Sequence, residues 1–194
     1  VILEGIVTTL HANGTVNISP MGPDVDDPLG HLVLKPYQTS TTYQNLKRTG
    51  QGVFHVTDDV ELIARAAVGE LSELPPMVDC PAVEGRILST ACRWYAFRVM
   101  SLDDTNERTR IECQVVQSGW LRDFFGFNRA KHAVLEAAIL ATRIDFVPHT
   151  RIREEFARWE EPLRKTGGAA EWRAFDFLSA FVRERCSEPR PPRT

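Results

Sequence analysis

Between Lys35 and Leu46 the chain reads KPYQTSTTYQNL, setting Thr39, Ser40, Thr41 and Thr42 in succession after a β-type run and shortly before Asn45. A phosphate monoester presents acceptor oxygens, so a turn that converges backbone N–H groups, hydroxyls and an amide matches it, and Lys35, Lys47 or Arg48 can add charge. The same run is also a solvated Ser/Thr loop, and residue types alone favour that plainer reading. A second cluster, Asn128, Arg129 and Lys131, opens a stretch of helical period. A helix N-terminus with cations can bind an anion; equally, Asn128 can cap the helix and leave the cations in water.

Other chemistry is sparse. His11, His31, His55, His132 and His149 show no H-x-x-x-H or H-E-x-x-H spacing that would gather a metal on one helix face. His55 lies in a β-type run and reads as a core or edge residue. Cys80, Cys92, Cys113 and Cys186 are scattered without a C-x-x-C pair, which spells neither a zinc knuckle nor a dithiol motif and fits a reduced, cytoplasmic setting. There is no G-x-G-x-x-G fingerprint, hence no dedicated dinucleotide-binding domain in this chain. A net charge of -3 over 194 residues gives no broad attraction to nucleic acid or anionic lipid, so any anion site must be local. No segment approaches the roughly 20 apolar residues that span a bilayer, and the opening VILEGIVTTL, broken by Glu4, reads as a strand.

The elements that must position these residues fall into two patterns. Up to about residue 120, short β-branched runs alternate with turn signals, as in antiparallel barrels. Ile2 to Leu10 and Thr15 to Ser19 flank Asn13-Gly14, a tight-turn pair with positive φ angles. Further strands are expected at Gly30 to Lys35, Gly52 to Thr57, Ser89 to Leu102 and Thr109 to Ser118, with Asp103 to Asn106 as a polar turn. A helix capped by Asp58 or Asp59 interrupts them, carrying Leu62, Ile63, Ala66 and Ala67 at helical spacing. Leu74 to Pro81, with three prolines, is expected to be an extended connection. From Asn128 the period is helical: a small-residue face of Val134, Ala137, Ala138 and Ala141, then a helix capped by Thr150 and kinked or shortened by Pro162. Gly167-Gly168 breaks it before a third helix striped by Trp172, Phe175, Leu178 and Val182. Trp159, Trp172 and Phe175 are assigned to packing between helices. The proline-rich tail after Cys186 is expected to fray.

The order of E-G-I-V-T-T at Glu4 to Thr9, N-I-S-P-M-G at Asn17 to Gly22, S-T-T-Y-Q-N-L at Ser40 to Leu46, V-T-D-D at Val56 to Asp59 and N-R-A-K-H-A-V-L-E-A-A-I-L-A-T-R at Asn128 to Arg143 resembles an uncharacterised family, domain of unknown function 447. That family lies in the flavin-reductase-like, FMN-binding split-barrel superfamily. The resemblance implies a mainly β fold with α: a Greek-key antiparallel split β-barrel over residues 1–122 and a C-terminal helical subdomain over 123–194. It implies FMN as cofactor, a homodimer, and a small-molecule electron donor or acceptor as partner, with neither nucleic acid nor membrane. By position it places the FMN phosphate on Ser40, Thr41, Thr42 and Asn45 with Lys35 assisting, and the isoalloxazine along Asn17, Ser19, Met21 and Gly22. From motif alone, that second segment is also a strand end followed by a Pro-Met-Gly turn. Two functions fit: a flavin-dependent oxidoreductase or flavin reductase, and a non-catalytic FMN carrier. A pocket that has exchanged FMN for another phosphorylated ligand is a third.

Overall fold

The computed structural model describes residues 1–187, and they divide into two compact units: Val1–Asp58 with Glu73–Phe124, and Asp59–Ser72 with the chain from Phe125 onward. In the first unit the strands are β1 (Gly5–Leu10), β2 (Val16–Met21), β3 (Asp24–Val25), β4 (His31–Leu34), β5 (Gln51–Val56), β6 (Met77–Asp79), β7 (Arg86–Leu88), β8 (Arg93–Asp103) and β9 (Arg110–Trp120). Seven of them form one antiparallel sheet in the order β2-β1-β5-β8-β9-β4-β3. β2 and β3 end the sheet on opposite sides, yet only Gly22 and Pro23 separate them in the chain. The sheet must therefore curl until its edges meet. The seam is closed by an Ile2–Asp24 bridge and by bonds from the Leu3 N–H to the Pro23 carbonyl (3.1 Å) and from the Val25 N–H to the Val1 carbonyl (2.8 Å). This is the expected split barrel, with its edge strands protected by pairing.

Strand alternation sorts the side chains onto two faces. Val7, Phe54, Tyr95, Phe97, Ile111 and Cys113 turn into the barrel, where helix α1 (Thr41–Thr49) adds Tyr43 and Leu46 to the same core. Val53, Trp94 and Ala96 face outward under the β6-β7 hairpin, which contributes Cys80, Val83 and Ile87 to a smaller second core. That hairpin lies partly within the stretch from Leu74 to Pro81, so pairing to residues further along the chain overrides the extended connection that its prolines imply. His55, also on the outer face, is fully buried. Its Nε2 accepts the Leu88 N–H (3.1 Å), which leaves the proton on Nδ1 to bond the Ile6 carbonyl (3.2 Å). It is a core histidine tying β1, β5 and β7 together. Burial pushes its pKa down to about 4.

The β1-β2 turn departs from a tight pair of positive φ angles. Gly14 alone has one, at 82°, while the Asn13 carboxamide oxygen accepts from the Thr15 N–H (3.1 Å) and hydroxyl (2.7 Å). An Asx turn thus shares the work the second φ would have done. The long β8-β9 ribbon carries two bulges, where Met100 and Val116 stand without a cross-strand partner and point outward.

The second unit holds helices α2 (Val60–Ala67), α3 (Arg129–Ala141), α4 (His149–Thr166) and α5 (Ala169–Ser187). Asp59 caps α2, accepting the Leu62 N–H at 3.0 Å; Asp58 belongs to the barrel unit instead, bound through both oxygens to Arg122 (2.5 and 3.1 Å). The small face of α3, with Ala130, Ala133, Ala137, Ala138 and Ala141 buried, allows α2, α4 and α5 to pack closely on it. Phe156 stacks between Trp159 and Phe175, each with ring centroids 5.5 Å away. α4 begins one residue before Thr150, with Pro148 at the cap position and no side-chain cap. The preset φ of proline supplies the entry that a Thr150 cap would have provided. Pro162 lies within α4, which continues to Thr166. The tail after Ser187 lies outside the described residues.

Candidate anion site at the start of helix α1

The hydroxyl-rich run is the start of a helix rather than an irregular turn. Ser40 has extended backbone angles (φ -78°, ψ 145°), and its Oγ accepts the Tyr43 N–H at 3.2 Å, so it is the N-cap. Gln44 makes the first intrahelical bond, to the Ser40 carbonyl at 3.2 Å. That leaves the N–H groups of Thr41 and Thr42 as first-turn donors without a protein acceptor. No acidic residue occupies this turn, and Lys47 and Arg48 lie in the last one. The Thr41 side chain is exposed, and that of Ser40 half-buried.

Beneath this turn is a buried polar network. Asn45, 5% exposed, donates its amide to the Thr9 hydroxyl (3.0 Å), and Asn17 donates to both Thr9 (3.2 Å) and Thr42 (3.1 Å). Thr9 faces Asn17 across the β1-β2 ladder, so strand register brings two distant sequence segments to one point. The structure thereby gathers Asn17, Ser40, Thr41, Thr42 and Asn45. The Thr42 hydroxyl and the Asn45 amide are engaged inside the protein and fix the helix; the exposed donors are the amide and hydroxyl of Thr41, while the Thr42 amide, also without a protein acceptor, belongs to a residue 1% exposed.

Four other residues expected at this site stand outside the network. Lys35 is exposed and forms an ion pair with Asp24, which holds the Asp24 carboxyl below its ordinary range. The Ser19 hydroxyl donates to the Pro20 carbonyl at 3.4 Å. Met21 packs partly buried on the barrel core. A Cβ on Gly22 would lie 2.8 Å from Ile2 Cγ2 and 2.9 Å from both Glu4 carboxylate oxygens, so its missing side chain makes room for the barrel seam. Thr9, the hub of the network, was not singled out from sequence. Its signal was the polar end of an inward face otherwise formed by Gly5 and Val7.

The connection into α1 is held from outside as well. Gln38 receives its fixed place from the β8-β9 turn: its N–H bonds the Glu107 carbonyl (2.8 Å), and its amide bonds the carbonyls of Asp104 (2.7 Å) and Asn106 (2.9 Å). The Tyr43 hydroxyl donates to Asp104 (2.7 Å), and Lys47 donates to both Asp104 (2.8 Å) and the Tyr43 oxygen (3.0 Å). These hydrogen bonds hold the Asp104 carboxyl below its ordinary pKa and the Lys47 ammonium above its own.

The α3 start offers a different inventory. Asn128 Oδ1 caps the Lys131 N–H at 3.0 Å, its amide bonds the Thr166 carbonyl (3.0 Å), and the Thr166 hydroxyl takes the Ala130 N–H (3.0 Å). Lys131 pairs with Glu171 at 3.0 Å. Burial raises the Glu171 pKa, but Lys131 and the Gly168 N–H together outweigh it and hold the group ionised. This helix start is a structural cap. Among the described residues, no group of three or more His, Cys, Asp or Glu side chains is placed to hold a metal, and no helix is long and apolar enough to cross a membrane.

An exposed Thr41 amide and hydroxyl, a second amide without a protein acceptor in the buried Thr42 behind them, and the absence of acidic groups in that turn fit a phosphate monoester. The class this fold defines is the flavin-reductase-like split β-barrel, here with a helical unit. The chain belongs to the family described as protein of unknown function (DUF447): the model of its N-terminal domain matches residues 3–122, and a second model matches residues 128–180. A crystal structure of an FMN-bound protein of that family from Methanosarcina mazei is similar over 93% of this chain and 94% of its own, at 23% identity and a TM-score of 0.77. Two others match over a smaller share of the chain. A flavin reductase domain protein from Arthrobacter is 18% identical, covering 62% of this chain and 79% of its own (TM-score 0.53), and an FMN-binding protein from Thermus thermophilus crystallised with p-hydroxybenzaldehyde is 13% identical, covering 61% and 71%. The latter has a TM-score of 0.53. No curated protein sequence matches significantly.

Proposed function

We propose that this protein is an FMN-binding flavoprotein, with the FMN phosphate seated on the first turn of α1. The observation that carries this reading is the pair of unpaired Thr41 and Thr42 amides at the cap of a helix rooted in the barrel core. The Thr41 hydroxyl adds a donor, and the Ser40 cap fixes the turn. Asn45, Asn17 and Thr9 hold the helix from below through their shared hydrogen bonds. An FMN-bound protein of the same family and an FMN-binding protein of similar fold support the choice of ligand.

Bound FMN would supply hydride and electron chemistry at its ring, and the protein's part is to bind and orient it. The activity this favours is that of a flavin-dependent oxidoreductase or flavin reductase acting with a small-molecule donor or acceptor, in a homodimer. The test has two stages. Purified protein mixed with FMN should develop a bound-flavin visible spectrum, which Ser40→Ala and Asn45→Ala should weaken. Anaerobic mixing with NADH, NADPH or a reduced deazaflavin should then bleach that spectrum. A bound flavin that no donor bleaches would move the assignment to an FMN carrier. Protein that gains no flavin signal would end the FMN reading.

A further inference from the structure

The β8-β9 turn makes more bonds to the chain leading into α1 than to itself. Along residues 35–40, Arg108 Nε donates to the Lys35 carbonyl (3.1 Å), and the Thr109 N–H and hydroxyl both donate to the Pro36 carbonyl (2.9 and 2.8 Å). Tyr37 bridges to Arg108, whose guanidinium also lies over its ring, 5.6 Å from the centroid. Gln38 is held by three bonds to Asp104, Asn106 and Glu107, and its own carbonyl accepts the Gln44 side-chain amide from within α1 (2.9 Å). Asp104 then reaches the helix itself through Tyr43 and Lys47. Asp103 stabilises the tip by accepting from the Thr105 N–H (3.0 Å) and hydroxyl (2.7 Å).

This exceeds what a surface hairpin needs for its own stability. A six-residue connection with few bonds would let the cap residue and the first-turn amides swing, and a ligand would have to order them at a cost in affinity. Here the connection and the first turn are ordered beforehand. The Lys47 ammonium also neutralises the Asp104 carboxylate, so the clamp adds no unpaired negative charge beside α1.

We infer that the β8-β9 turn is the positioning element of the α1 anion seat, with Gln38 and Asp104 orienting the Thr41 and Thr42 amides through the chain and through Tyr43. The inference rests on the proposed seat for the FMN phosphate and adds residues that touch the amide-bearing turn rather than the ligand. Flavin affinity divides the two roles, because riboflavin shares the ring of FMN and lacks the phosphate.

The experiment measures FMN and riboflavin binding by flavin-fluorescence quenching for wild type, Asp104→Asn, Tyr43→Phe and the more exposed Lys47→Met. Backbone 15N relaxation of Thr41 and Thr42 is recorded in the ligand-free proteins. Asp104→Asn and Tyr43→Phe should each lower FMN affinity about fivefold to tenfold, leave riboflavin affinity within twofold, and raise the mobility of the two amides. Lys47→Met should do the same to a smaller degree and guards against a variant that does not fold. An unchanged FMN-to-riboflavin ratio in all three, or equal losses for both flavins, overturns the positioning role. A wild-type protein that binds both flavins equally well overturns the phosphate seat itself, and the positioning role with it.

Discussion

Helix α1 starts with a Ser cap followed by Thr41 and Thr42, and helix α3 starts with an Asn cap followed by Arg129 and Ala130. By cap chemistry the two are near equals, and by charge α3 is the better anion site, with cations at its first and third positions. Their surroundings reverse that order. At α3 the Thr166 hydroxyl occupies the second amide, and Glu171 occupies the Lys131 ammonium. At α1 neither leading amide has a protein acceptor, that of Thr41 in an exposed residue and that of Thr42 in a buried one, and the nearby Lys47 answers Asp104. Whether a helix start binds a ligand is thus decided by what tertiary structure has already placed there.

The largest effect that separates the two regions is set by pH. His55 belongs to the barrel that carries α1, and its pKa falls to about 4 in the fold from an ordinary 6.5. The unfolded chain gains a proton below about pH 6.5 while the folded barrel stays neutral until about 4, so the barrel's stability is full above that window and is lost progressively within it. The total comes to roughly 3 kcal/mol. The caps of α3 involve no group that titrates there, and Glu171, whose pKa is lowered, keeps its charge. Hydrogen exchange at pH 7 and pH 5 should therefore show β1 and β5 amides losing protection, with those of α3 far less affected. Equal loss in both units would remove the distinction.

Next in size is the loss of one amide. Ser40 and Asn128 are both extended and tolerate a following proline, and proline at the first helical position spares the helix. Thr41→Pro should weaken FMN binding on the order of tenfold to a hundredfold, the worth of a charge-assisted bond or two, while Arg129→Pro leaves FMN titrations unchanged. The converse change is Thr166→Val, which strands the Ala130 N–H. It should destabilise the fold by about 1–3 kcal/mol in urea unfolding, with no change in flavin affinity measured under native conditions. The smallest is Ser40→Ala. Losing the cap bond should cost about 1 kcal/mol of stability, with a modest fall in FMN affinity.

Much of this was legible in the residues. The hairpin, the four further strands, the helix after Asp59 and the small-residue face of α3 follow from alternation, period and capping, because those signals are local. The hydroxyl run was legible as a place where anion chemistry was possible, but its helical form was not. Four β-branched or hydroxyl residues in succession have weak helix propensity, and α1 exists because Tyr43 and Leu46 complete the barrel core. The Thr9 hub and the Gln38–Asp104 clamp depend on strand register and on residues far apart in sequence. The same holds for Met21 and Gly22, whose sequence suits a ligand-facing turn but whose neighbours, the barrel core and the Ile2–Glu4 strand, are visible only once the seam has closed.

The central claim, that the α1 start is reserved for the phosphate of FMN, is tested most directly by titrating the ligand-free wild-type protein with FMN and with riboflavin under identical conditions. The account predicts at least tenfold tighter binding of FMN, a difference abolished in Thr41→Pro. Equal affinities for the two flavins in the wild type, or a preference for FMN that survives Thr41→Pro, would contradict it.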